Sequence, residues 1–242
     1  MQRVRVSEHS WGCRVELCAP ERRNALDAQA VAELRAAFAA DGQGALLLCA
    51  EGPAFCAGGD LSVLARAAAE GGLAELLSTT AAAFADLIEA IVSCPRPVVA
   101  ALDGPAVGGG VSLALACDVR LATPRARLVL GWGRLGLPPD GGAAALLGAA
   151  VGTERAQALL KESADVTTEF ELAPLLFTRI VSAEQLEAES LLMVEQAAKR
   201  VDAAALLAEL RAQQDEELAA LARAAADRVT SERLAVFYKI HT

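Results

Sequence analysis

Gly104-Pro105-Ala106-Val107-Gly108-Gly109-Gly110-Val111-Ser112 follows the apolar run 98–102 and leads into Leu113-Ala114-Leu115-Ala116-Cys117-Asp118. A strand-like run, a glycine turn and a helix-like run in that order are one step of an alternating α/β chain. The same order occurs upstream, where the run 45–50 leads into Phe55-Cys56-Ala57-Gly58-Gly59-Asp60-Leu61 and a helical pattern over 60–69. Glycine at such a turn lets the backbone bend tightly and leaves its N–H uncovered by a side chain. In a parallel sheet both turns lie at the carboxyl ends of strands, where sites form. Two uncovered N–H groups near helix N-termini can point at one oxygen and stabilise negative charge on it. The pair predicts an oxyanion hole.

Outward from the turns, residues 3–18 alternate around Ser10-Trp11-Gly12 and predict a hairpin. Asp27 stands as N-cap before apolar residues at Ala30, Val31, Leu34, Ala37 and Phe38, a helical period. A long helix is expected over 75–93, closed by Pro95 and Pro97. Further strands are expected at 98–102, 119–122 and 127–130, with a loop over 131–142. Beyond Ala143 the pattern is nearly all helical, and from Ala183 strongly so.

The 242 residues suffice for one domain with a sizeable core. Hydrophobic residues make up 54% but aromatics only 4%, so Ala, Leu and Val must build that core. A net charge of -9 argues against nucleic acid as a partner, because phosphate backbones need a basic face. Six cysteines without CxxC spacing and two histidines, His9 and His241, make a metal site unlikely and fit buried thiols in a reducing compartment. The polar N-terminus lacks signal-peptide character, and the apolar stretch 98–117 is broken by Asp103, Pro105 and glycines. The expectation is a soluble, cytoplasmic protein that contacts no membrane.

Four motifs, Asn24-Ala25-Leu26, Phe55 to Leu61, Gly104 to Asp118 and Leu135-Gly136-Leu137-Pro138-Pro139-Asp140-Gly141-Gly142, resemble in order and spacing the crotonase (enoyl-CoA hydratase/isomerase) superfamily. The resemblance covers roughly residues 3–185. It implies an α/β fold, a crotonase-like spiral of ββα units, with a core domain over 1–185 and a C-terminal helical lid or oligomerisation region over 186–242. It implies homo-trimers or hexamers. It implies an acyl thioester substrate on coenzyme A or on the phosphopantetheine of an acyl carrier protein, with no separate cofactor. The thioester carbonyl would sit between the amides of Gly59 and Gly109, beside Ala57. Arg22 and Arg23 fall in a loop that lies near coenzyme A phosphates in relatives, and a guanidinium there could pair with phosphate or be plain surface charge.

The departures from the family pattern are as informative. Hydratases use two glutamates; the aligned positions here are Ser112 and Trp132, which are read as substrate-contacting residues. Neither replaces a carboxylate in proton transfer. Asp140 remains, at a position that carries an aspartate in several isomerases and in chlorobenzoyl-CoA dehalogenases. The latter also resemble this chain at Trp132, but their histidine aligns with Ala85. Asp140 is therefore the candidate acid and base, or else the N-cap of a helix over 141–150. Asp60 and Asp118 read as caps or structural acceptors, Glu89 as a reserve acid, and Cys56 as a packing residue. The expected activity is isomerisation or hydration/dehydration of an enoyl thioester. Decarboxylation or dehydration of a carrier-bound group in secondary metabolism, and an inactive thioester-binding scaffold, are the alternatives.

Overall fold

The computed structural model describes residues 2–241, with backbone only for Phe237, Tyr238, Ile240 and His241, so the His241 side chain lies outside the described residues. A six-stranded sheet is built from β1 (Val4–His9), β2 (Gly12–Leu17), β3 (Ala45–Ala50), β4 (Val98–Leu102), β6 (Val119–Ala122) and β9 (Arg179–Ile180), in the order β1-β2-β3-β4-β6-β9. β1 and β2 form the expected antiparallel hairpin, and every later pair in this sheet is parallel. A second sheet, ordered β5-β7-β8, joins β5 (Pro105–Val107), β7 (Arg127–Val129) and β8 (Asp165–Thr167).

The helices are α1 (Ala28–Ala39), α2 (Leu61–Glu70), α3 (Leu73–Ser93), α4 (Gly109–Ala116), α5 (Trp132–Leu135), α6 (Ala143–Val151), α7 (Thr153–Glu162), α8 (Ala173–Leu176), α9 (Ala183–Gln196), α10 (Ala203–Ala226) and α11 (Arg228–His241). Asp27 caps α1 by accepting from the Ala30 N–H at 2.9 Å. Asp60 caps α2 through the Ser62 and Val63 amides.

The parallel strands read as unbroken apolar runs because both sheet faces are covered. Leu46, Leu48, Val98, Ala100 and Leu102 face the main core, while Ala45, Leu47, Val99, Ala101 and Leu121 pack under Val194 of α9. α3 is long and apolar enough to cross a membrane by length and composition. Its stripe of Leu77, Ala81, Phe84, Ile88 and Ile91 is instead buried, and the helix packs against α1 and α10.

The structure corrects the sequence reading in three places. The loop expected over 131–142 contains the one-turn helix α5, the second glycine turn contains β5, and the helical stretch after Ala143 is interrupted by β8 and β9. All four are two to four residues long, too short to show a period. The C-terminal helices fold back onto this chain's own core: α10 runs along α3 and α6, and α11 packs on α2 and α5.

Candidate active site

The first glycine turn is held from the loop before α1. Arg23 and Asn24 both adopt left-handed conformations, with φ of 52° and 54°. The buried Asn24 side chain accepts from Ala19 N at 2.9 Å and donates to the carbonyls of Glu51 at 2.8 Å and Ala54 at 2.9 Å. This clamp carries Leu26 alongside the turn, where Leu26 N donates to Gly58 O at 2.7 Å and Asp60 N to Leu26 O at 3.3 Å. The residue between them, Gly59, is left with its N–H free of any protein acceptor among the described residues.

Gly58 explains how the two turns meet. Its φ is +77°, and a Cβ there would stand 2.4 Å from Val107 O and 3.2 Å from Gly109 N. Only glycine allows the approach. Gly109 is the first residue of α4, so its N–H has no intrahelical partner, and it too donates to no protein group among the described residues. Gly59, Gly109 and Ala57 all line a cavity of about 640 Å³.

Asp140 and Trp132 lie on the same wall. The Trp132 Nε1–H donates to Asp140 Oδ1 at 2.8 Å. Asp140 is partly buried, and burial pushes its pKa above the ordinary carboxylate range; the Trp132 hydrogen bond works in the opposite direction. Asp140 is not a helix cap. α6 begins at Ala143, its N-cap is Gly142, and no side chain caps it. Two left-handed glycines, Gly141 and Gly142, separate the aspartate from the helix and turn its carboxyl elsewhere.

Ser112, expected to contact substrate, is fully buried behind this wall and is not on the cavity surface. Its hydroxyl donates to the Asp140 carbonyl at 3.0 Å, so it supports the aspartate's backbone. Arg23 is exposed and off the cavity wall as well; its contribution is its carbonyl, which accepts from Ala57 N at 2.9 Å. Arg22 is engaged by Asp27 at 2.6 Å and by Asp60. The cations on the cavity wall are Arg35, paired with Asp86, and Arg134.

Cys56 is fully buried with its thiol pushed up to about 12 by burial, which suits packing and not nucleophilic attack. Glu89 accepts from Arg211 of α10 at 2.8 Å and lies off the cavity wall. Asp118 is structural, accepting from Val98 N at 2.7 Å, Lys199 Nζ at 3.0 Å and Arg200 N at 3.0 Å. Among the described residues no cluster of His, Cys, Asp and Glu gathers that could hold a metal ion.

The sequence reading missed Glu217. Its Oε2 accepts from the Gly142 N–H at 3.1 Å, and its carboxyl is pushed up to about 7, first by burial and then by the charge of Asp140. A signal was present. The buried positions of α10 are Leu206, Leu210, Leu221 and Ala225, and Glu217 stands on the same stripe, one turn before Leu221 on the cavity wall.

A family model described as enoyl-CoA hydratase/isomerase matches residues 12–234. A probable enoyl-CoA hydratase echA6 of Mycobacterium tuberculosis (strain CDC 1551 / Oshkosh) is 38% identical over 161 residues, 65% of this chain and 62% of the relative. A 4-chlorobenzoyl coenzyme A dehalogenase-2 of Arthrobacter sp is 32% identical over 157 residues, 62% of this chain and 55% of the relative. The chain thus spans 55% to 62% of the length of these curated relatives. The crystal structure of an enoyl-CoA hydratase from Mycobacterium avium subsp. paratuberculosis K-10 matches with a TM-score of 0.82 at 26% identity, covering 97% of this chain and 98% of that one.

Proposed function

This chain belongs to the enoyl-CoA hydratase/isomerase family, and from that premise we propose that it moves a proton along the acyl group of an enoyl thioester. Asp140 is the acid and base, and the amides of Gly59 and Gly109 hold the thioester oxygen. The acyl-CoA names of its relatives support coenzyme A as the thioester carrier. The observation that carries the reading is Asp140 itself: a carboxyl group on the cavity wall, freed from capping and oriented by Trp132.

The chemistry follows from these groups. The Asp140 carboxylate takes a proton from the carbon next to or conjugated with the thioester. The electron pair passes to the carbonyl oxygen, giving an enolate. The two amides receive that charge; removing one such donor costs roughly 3–4 kcal/mol of barrier. The protonated Asp140 then returns the proton to the other end of the conjugated system. The raised pKa of a buried carboxyl group suits this return near neutrality.

Isomerisation is favoured over hydration because one carboxyl group completes it. Hydration needs a second group to activate water, and the aligned positions offer a buried serine engaged with a carbonyl and an indole. The deciding experiment incubates the protein with a β,γ-enoyl-CoA in deuterated water. Deuterium uptake and conversion to the α,β-isomer are expected. A hydroxyacyl product would replace isomerisation with hydration, and tight binding without exchange or product would make the chain a thioester-binding subunit.

A further inference from the structure

We propose that Glu217, on the C-terminal helix α10, is a positioning residue for Asp140: it fixes the glycine turn that aims the aspartate. Its effect on turnover rests on the reading of Asp140 as acid and base; the contact of Glu217 with the turn does not.

The geometry comes from the turn. Gly141 and Gly142 both have positive φ, 59° and 68°, so the backbone leaving Asp140 makes two left-handed steps before α6 starts. Such a turn has no side-chain cap, and the N–H of Gly142 would be unpaired without Glu217, which accepts it at 3.1 Å. A Cβ at Gly142 would lie 1.9 Å from Leu210 Cδ2, so α10 presses directly on the turn. On its other side the Asp140 carbonyl is held by the Ser112 hydroxyl at 3.0 Å. The aspartate is thus pinned between α4 and α10. Glu217 itself is not on the cavity wall, so it acts through the turn and not on substrate.

Among the described residues, the other charged groups on the helices packed around Glu217 are paired, engaged or exposed, and Asp140 is the charge that raises its carboxyl. α6 carries no ionisable side chain. On α3, Asp86 and Glu89 are paired with Arg35 and Arg211, and Glu75 is exposed. On α11, Arg228 pairs with Glu232, Arg233 is directed at the Gly133 carbonyl, and Lys239 is exposed. Burial and the charge of Asp140 push the Glu217 carboxyl up to about 7, and the Gly142 N–H that it accepts works in the opposite direction.

Three variants test this with a β,γ-enoyl-CoA as substrate and with carboxyl-labelled protein observed by NMR. Glu217→Ala is expected to lower kcat on the order of tenfold or more with KM little changed, because the turn loosens. Glu217→Gln restores most of kcat, since its amide oxygen accepts the same N–H, but it removes the inflection near pH 7 from the pH–rate profile. Asp140→Asn moves the Glu217 titration to lower pH in the NMR spectrum. Unchanged kcat in Glu217→Ala, or a Glu217 titration that does not move in Asp140→Asn, overturns the proposal. Full turnover in Asp140→Asn sinks the acid/base reading alone, because the NMR titration stands independently of activity.

Discussion

The indole N–H of Trp132 donates to the carboxyl oxygen Oδ1 of Asp140 at 2.8 Å, and both residues stand on the wall of the cavity that the two glycine turns open. A hydrogen bond to a carboxylate favours its ionised form, whereas enclosure disfavours it. Burial is the larger influence on Asp140 and the indole opposes it. Trp132 thereby influences the proton affinity of Asp140 as well as orienting its carboxyl group.

Replacing the indole tests that balance. In Trp132→Phe the Asp140 carboxyl loses the donor that favours its charged form, so its pKa rises further. The acidic limb of kcat/KM against pH should move to higher pH. An unmoved limb would separate Trp132 from the titration of Asp140.

Asp140→Asn keeps an oxygen that can accept from Trp132 but cannot carry a proton. A loss of about a hundredfold or more in kcat is expected, with the fold intact by circular dichroism. Full turnover would remove Asp140 from the mechanism.

Gly109→Pro addresses the oxyanion hole directly. The first position of a helix tolerates proline because its N–H has no helical partner, yet that N–H is the proposed donor. The variant should keep its helix content and lose roughly a hundredfold to a thousandfold in kcat. Undiminished kcat in the folded variant would mean the Gly109 amide does not serve the thioester oxygen.

Folding stability should carry the signature of Glu217. The fold pushes the Glu217 carboxyl from its ordinary value of 4.5 up to about 7, so the folded state holds a proton that the unfolded chain releases. Stability from this group is fully present below the unfolded value and falls as pH rises toward 7. Glu217→Gln does not titrate and should lack that fall. Urea unfolding of both proteins at about pH 5 and pH 8 measures it, and parallel behaviour would show that Glu217 ionises normally.

Asp118 anchors the chain between α9 and α10 to the start of β4, with its side chain 1% exposed. Asp118→Ala strips the acceptor from Lys199 and from two amides, and should destabilise the fold by about 3–5 kcal/mol. Chemical denaturation gives the number, and a change below about 1 kcal/mol would make the cluster a surface feature.

Much of the fold was legible because its signals are local. Asp27 and Asp60 cap the helices that follow them, the apolar runs at Ala45–Ala50 and Val98–Leu102 are buried strands, and Gly58 holds a conformation that few other residues adopt. β5, β8 and β9 were not legible, since strands this short exist only through the partners they pair with. The site divides in the same way. The free amides of Gly59 and Gly109 on the cavity wall were legible because a glycine turn between strand and helix is written in consecutive residues. Ser112 was misplaced because its neighbourhood in sequence says nothing of the direction its hydroxyl takes. Glu217 was missed because an acid on a charged helix looks solvated until another element closes over it.

By itself the sequence determined the alternating α/β order, the two turns that leave amides free, the absence of acids at positions 112 and 132, and the presence of one at 140. These depend on residue type and spacing along the chain. Only the tertiary structure decided how Asp140 is held. Two left-handed glycines turn it away from the helix it was positioned to cap, Trp132 reaches from the start of α5 to hold its carboxyl group, and α10 returns from the C-terminal end to press Glu217 against the turn. A carboxyl group's proton affinity is set by what surrounds it in space, and those surroundings come from α4, α5 and α10, which meet only when the chain folds.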